Sequence, residues 1–219
     1  MMKTKFNIKT FQGGYDKNFS YLIWCNKTLH ASIIDPAVEI ELIIKTIKKN
    51  NLLLKKILVT HTHADHIYYL NDFCKLYPEL TVFGYKKPKI KIKNQFKALK
   101  NLETLSIGKN FITCLYTPGH YIDSMCFWSK ENKIIFTGDT MFVGRTGRVV
   151  SQTSSIIQLY KSIYKVLLKL PIDTMIYPGH NYGFKKRISI KENIKSSNFF
   201  KCQSLKEFEH VMNDFEKNR

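Results

Sequence analysis

The sequence predicts an α/β layered fold with its functional site along one sheet edge. Two observations predict it. Runs with strand character and runs with helical spacing are interleaved along the chain and not gathered into blocks. Residues able to bind metals or move protons stand where strand-like runs give way to loops, and such loops collect at one edge of a sheet. The chain has 219 residues, 44% of them apolar, which suits one domain with a real core, or one domain with a small appendage.

Taken in order, FSYLIWC (19–25) and HASIID (30–35) read as successive strands with a turn at Asn26-Lys27. Ile40, Ile43, Ile44 and Ile47 recur at helical spacing up to Lys49. KILVT (56–60) reads as a buried strand leading into a histidine cluster. HIYYLNDFCKLY (66–77) reads as a helix stopped by Pro78. FITCLYT (111–117), SMCFWS (124–129) and KIIFTGD (133–139) read as short strands, the first and third ending in glycine turns that carry His120 and Asp139. Ile156, Tyr160, Ile163, Tyr164 and Leu167 form an apolar helical stripe ended by Pro171. TMIYPGH (174–180) repeats the strand-then-histidine pattern. Two last helices are announced by capping boxes at Ser189…Glu192 and Ser204…Glu207.

Composition excludes several classes. No run approaches the ~18 apolar residues of a membrane span. The N-terminal MMKTKFNIKTFQGG lacks the apolar stretch of a signal peptide, so a cytoplasmic location is expected. The five cysteines (Cys25, Cys74, Cys114, Cys126, Cys202) are scattered and form no C-x-x-C, which fits reduced thiols. The formal net charge of +18 is spread along the chain and reads as compositional drift. Its densest cluster, YKKPKIKIKNQFKALK (85–100), suits an anionic substrate.

Of seven histidines, three fall in VTHTHADHIYYL (59–70). Imidazole nitrogen and carboxylate oxygen suit zinc, iron or manganese. In His61-x-His63-x-Asp65-His66, the alternation lets His61 and His63 aim to one side while Asp65 and His66, on the turn into the helix, aim to another. One short segment can thus serve two neighbouring metal positions. His120, Asp139 and His180 at three further strand ends complete seven ligands, enough for two ions with room for water. His30 and His210 are expected to be structural or exposed.

These residues, in this order, resemble the metallo-β-lactamase superfamily over about residues 6 to 200. The resemblance implies an αββα sandwich, a single domain spanning 1–219 with a short helical C-terminal extension (about 188–219). It implies that His61, His63 and His120 hold a first metal, that Asp65, His66 and His180 hold a second, and that Asp139 bridges them. The phrases TPGH, TGDTMFVGRTGR and YPGHNYG resemble the glyoxalase II (hydroxyacylglutathione hydrolase) and persulfide dioxygenase group. That likeness implies glutathione contacts by Arg148, nine positions after Asp139, and by Tyr182, two after His180.

The implied reaction is hydrolysis of an S-2-hydroxyacylglutathione such as S-D-lactoylglutathione, by hydroxide formed when a metal lowers the pKa of bound water toward ~7. Asp65 would orient the nucleophile or accept its proton. The expected cofactors are two divalent ions, zinc first, with iron or manganese also fitting the ligands. The alternative is a persulfide dioxygenase using one ferrous ion on His61, His120 and Asp139. The expected partner is a small glutathione thioester or related anionic thiol compound, with no membrane partner. A homo-oligomer is compatible with the sequence. A nucleic-acid role ranks last, since no basic stretch carries interleaved stacking aromatics.

Overall fold

In a computed structural model, which describes residues 5–86 and 93–218, the chain forms two six-stranded sheets. The first contains β1 (Phe6–Gly13), β2 (Asn18–Cys25), β3 (His30–Ile34), β4 (Leu53–Leu58), β5 (Thr81–Gly84) and β6 (Gln95–Ala98), in that spatial order. β1 to β3 are antiparallel, and β3 to β6 are parallel. Helix α1 (Ile40–Lys49) lies in the crossover from β3 to β4 and α2 (Leu70–Leu76) in that from β4 to β5. The second sheet holds β7 (Thr104–Ile107), β8 (Asn110–Tyr116), β9 (Met125–Ser129), β10 (Ile134–Gly138), β11 (Met175–Pro178) and β12 (Ile188–Ser189). There only β10 and β11 are parallel, and α3 (Ile156–Lys161) lies in the connection between them. Two helices follow β12: α4 (Ile190–Ser196) and α5 (Leu205–Lys217).

The period-two alternation of the strands sorts the core into three layers. Leu22, Ile33 and Ile57 face outward and bury Ile43 and Ile47 of α1 and Phe73 of α2. Tyr21, Ile23, Ile34 and Leu58 face inward and meet Met125, Phe127, Ile134 and Phe136 of the other sheet. Cys126, Ile135 and Ile176 face out of the second sheet onto Leu159, Ile163, Phe208 and Met212. Helices thus cover both outer faces of a two-sheet sandwich, the αββα order.

Two helices differ from their sequence pattern. The segment 66–77 is helical only from Leu70, because the chain between Ala64 and Tyr69 is spent on tight turns. The stripe from Ile156 starts as α-helix capped by Ser155, widens to a π segment over Ser162–Val166 and tightens to 3-10 over Leu167–Lys169. Leu159, Ile163 and Leu167 recur every four residues, a spacing that drifts around a 3.6-residue turn and stays on one face of a wider one. The basic cluster 85–100 falls partly on residues 87–92, which lie outside the described residues.

Candidate metal centre

Four strand ends build the site. After β4 the chain passes through Val59 and Thr60 and turns, with the His66 N–H donating back to the His63 carbonyl at 3.1 Å. His120 follows β8 through Pro118-Gly119, Asp139 follows Gly138 of β10, and His180 follows Pro178-Gly179 of β11. The two sheets are tied together at this edge: Met125 N–H donates to the Thr60 carbonyl and Phe19 N–H to that of Gly179, both at 2.7 Å. Close approach matters at Gly179, where an added Cβ would sit 2.3 Å from Asp139 Oδ1.

The side chains converge in overlapping sets: His61, His63 and His120; Asp65, His66 and His180; and His61, His66 and Asp139. His63 Nδ1 lies 3.0 Å from His61 Nε2 and 3.1 Å from His120 Nε2. His66 Nε2 lies 3.1 Å from His180 Nε2. Asp139 sits between the sets, with Oδ1 3.1 Å from His66 Nε2 and Oδ2 3.3 Å from His180 Nε2 and 3.5 Å from His120 Nε2.

Partners on the far side of each ring decide which nitrogen faces inward. His66 Nδ1 donates to Asp35 at 2.9 Å, His120 Nδ1 to the Arg148 carbonyl at 2.8 Å and His180 Nδ1 to the Asp16 carbonyl at 2.8 Å. His61 Nδ1 meets Thr60 Oγ1 at 3.1 Å, and that hydroxyl donates onward to Asp35 at 2.7 Å. With Nδ1 protonated, the inward Nε2 atoms of His61 and His120 face His63 Nδ1, and those of His66 and His180 face each other. Lone pairs 3 Å apart repel unless a proton or a cation lies between them. The spacing is close to the edge of about 3.4 Å expected between nitrogens bound tetrahedrally to one zinc ion. Asp139 Oδ1 is buried and meets His66 Nε2 at 3.1 Å without the alignment of a hydrogen bond. The donor set therefore fits divalent metal.

The protonation states of the protein without metal divide along the same line. Burial, then the charge of His66, holds His61 well below the usual histidine range, and burial with the charge of His120 lowers His63 to about 4. Burial opposes the charge of His66 and His180 too, but Asp139 and a second carboxylate overcome it: His66 is held well above its usual value and His180 rises to about 9. Burial would raise Asp65 and Asp139, yet contacts with His66 and His180 keep both below the ordinary carboxylate range.

Several residues of the site have no counterpart in the sequence reading. Asp35, 2% exposed, accepts from the Thr60 N–H and hydroxyl and from His66, so one carboxylate orients two histidine-bearing positions. Asp123 fixes Thr62 through both oxygens, at 3.2 and 2.6 Å. Asn18 donates to Asp65 at 2.8 Å. The available signal was Asp35 itself, an acid closing an apolar strand like the ligands do. His30 and His210 lie outside these clusters, and His210 pairs with Asp214 on α5 at 3.2 Å.

Beside the metal residues opens a cleft of about 220 Å³, lined by Tyr15, His63, Asp65, His120, Arg145, Arg148 and Tyr182 among others. Both residues expected to touch substrate reach it, but each is engaged within the chain. Tyr182 stacks on His180 with ring centres 4.6 Å apart and its hydroxyl donates to Asp16. Arg148 grips Glu216 of α5 through two hydrogen bonds, at 2.7 and 2.6 Å. Arg145 lies over the Tyr182 ring, 4.2 Å from its centre.

An αββα sandwich with a histidine–aspartate cage at one sheet edge defines a class of metal-binding proteins. The chain belongs to the metallo-β-lactamase superfamily, whose profile matches residues 13–180. It is 34% identical over 206 residues to a probable hydroxyacylglutathione hydrolase of Schizosaccharomyces pombe, covering 91% of this chain and 75% of that one. A hydroxyacylglutathione hydrolase of Francisella tularensis subsp. novicida is 34% identical over 171 residues, 76% of this chain and 64% of its own. The chain thus spans between about two thirds and three quarters of these relatives. Among solved structures, ETHE1 from Myxococcus xanthus superposes with a TM-score of 0.84 at 28% identity, covering 95% of this chain and 91% of that one. Among the described residues no helix is long and apolar enough to cross a membrane.

Proposed function

We propose that the protein is a metal-dependent thioester hydrolase acting on S-2-hydroxyacylglutathione, such as S-D-lactoylglutathione. The observation that carries the reading is the placement of Asp139 between two adjoining ligand sets, as a binuclear hydrolytic centre needs. The names of the curated relatives support the substrate class. His61, His63 and His120 would hold one ion, Asp65, His66 and His180 a second, and Asp139 would bridge. Bound there, divalent metal supplies acidified water and polarises the thioester carbonyl.

The chain's own residues do the rest. Asp65, held by Asn18 and lining the cleft, would orient the attacking water and take its proton. Arg145 and Arg148 make the cleft attractive to an anionic carrier. A thiolate leaves readily, so no strong general acid is required.

The test follows free thiol from S-D-lactoylglutathione. Zinc-loaded protein should release it, the metal-stripped protein should not, and His61→Ala should lose at least a hundredfold. Full activity in His61→Ala, or no metal-dependent release, ends the reading. A second reading, a ferrous persulfide dioxygenase on His61, His120 and Asp139, draws on His61 sharing one ligand set with His120 and another with Asp139, whose Oδ2 is 3.5 Å from His120 Nε2. Oxygen consumption with glutathione persulfide by the iron-loaded protein, without thioester hydrolysis, would favour it.

A further inference from the structure

Glu216 of α5 sets its carboxylate on the guanidinium of Arg148, a residue that lines the cleft. Arg148 Nε and Nη2 donate to its Oε1 and Oε2 at 2.7 and 2.6 Å. This two-pronged geometry is the one a guanidinium uses for any carboxylate, so Glu216 fills the donors an anionic substrate would seek. Arg148 also lies one bond from the metal cage, because its carbonyl accepts from His120 Nδ1 at 2.8 Å.

Helix stability does not explain the position of Glu216. It falls in the last turn of α5 (Leu205–Lys217), where the helix dipole disfavours negative charge. Nor is the pair locked away. Arg148 and Glu216 side chains are 38% and 29% exposed, and water competes for both. A pair so placed holds about 1 kcal/mol, about a fivefold bias, which a ligand carboxylate can overcome. A fully buried pair could not be opened at that cost.

We propose that Glu216 is a built-in competitor for the carboxylate of the substrate: it holds Arg148 when the cleft is empty and gives way when an anionic thiol carrier binds. This rests on the thioester reading for its substrate class. It makes Glu216 a specificity-determining residue, one that raises the concentration of anionic ligand needed to fill the cleft.

The probe is S-methylglutathione, which cannot be hydrolysed, titrated by calorimetry into zinc-loaded wild type, Glu216→Gln, Arg148→Met and the double variant. Glu216→Gln should bind about fivefold more tightly, and the gain should vanish in the double variant. KM for S-D-lactoylglutathione should fall by a similar factor, while KM for the N-acetylcysteamine thioester, which lacks the carboxylate, should move less than twofold. Weaker or unchanged binding by Glu216→Gln overturns the proposal, since Glu216 would then only position Arg148 or do nothing. Tighter binding without any hydrolysis sinks the thioester reading and leaves the competition standing. Hydrolysis without a Glu216→Gln gain does the reverse, and no binding by wild type or variant overturns both.

Discussion

Asp35 is the residue on which most of the histidine geometry depends. It contacts neither the cleft nor, on this arrangement, a metal, yet it aligns His66 directly and His61 through Thr60. Replacing it by Asn puts an N–H₂ group where an acceptor is required, either against the Thr60 donors or against His66. Partners of this kind typically carry a 10–100-fold effect on metal affinity, and Asp35→Asn should show a loss of that size in a zinc competition titration. The protonation states give a second expectation. Below about pH 9 His180 is protonated in the metal-free protein and the neighbouring carboxylates hold His66 well above its usual value, whereas His61 and His63 are neutral at pH 7.5. Filling the site that includes His66 and His180 must therefore displace protons. Zinc binding at pH 7.5 should release at least one proton per chain, with less release above pH 9, read as calorimetric heats that depend on buffer ionisation. Equal heats in all buffers would contradict the assignment. The convergence of His61, His63, Asp65 and His66 is legible in the sequence because six-residue spacing encodes direction locally. Partners such as Asp35 and Glu216 are not, since they meet His66 and Arg148 from 31 and 68 positions away.

At the scale of elements, strands are legible from their apolar runs, and their ends fall close to the pattern because the loops after them carry the ligands. Helices are less so. His66 carries helix-compatible neighbours, but its ring must reach Asp35, so the turn it occupies delays α2 to Leu70. The capping box at Ser189 forms with both of its bonds. At Ser204 only one does: Ser204 Oγ accepts from Glu207, while the Glu207 carboxylate takes the N–H of Gln203 instead. The joint between α3 and the loop that carries His120 is the element on which the position of that ring depends. Gly119 has φ +137°, and a Cβ there would sit 2.2 Å from the Leu159 backbone nitrogen. Neither strain nor clash can be relieved by a rotamer change, because the obstacle is backbone. Gly119→Ala should cost about 2 kcal/mol or more, a drop in Tm of roughly 4–8 °C for a chain of this size, and shift His120 out of reach of its partners. Thermal unfolding with and without zinc checks both: the variant should melt earlier and gain less from the metal. A variant with wild-type melting and wild-type zinc stabilisation would show that the loop has room to move.

Across the whole molecule, the third core layer connects overall stability to the cleft. α5 buries Phe208 completely against Tyr160 and Tyr164, with ring centres 5.7 and 6.0 Å apart, and the same helix delivers Phe215 to Arg145 and Glu216 to Arg148. The metal cage, by contrast, is fastened by both sheets, and among the described residues its ligand sets take no member from α5. The two parts of the site should therefore separate under mutation. Phe208→Ala removes a large ring from a packed interior and should cost about 3–5 kcal/mol in urea-induced unfolding, with Phe208→Leu costing less because more of the volume remains. Under conditions where Phe208→Ala remains folded, zinc content should stay near wild type, while affinity for S-methylglutathione changes as the Arg148–Glu216 contact loosens. Loss of zinc in step with loss of stability would mean instead that the sandwich and its outer helices unfold as one unit, and that the cage has no rigidity apart from α5.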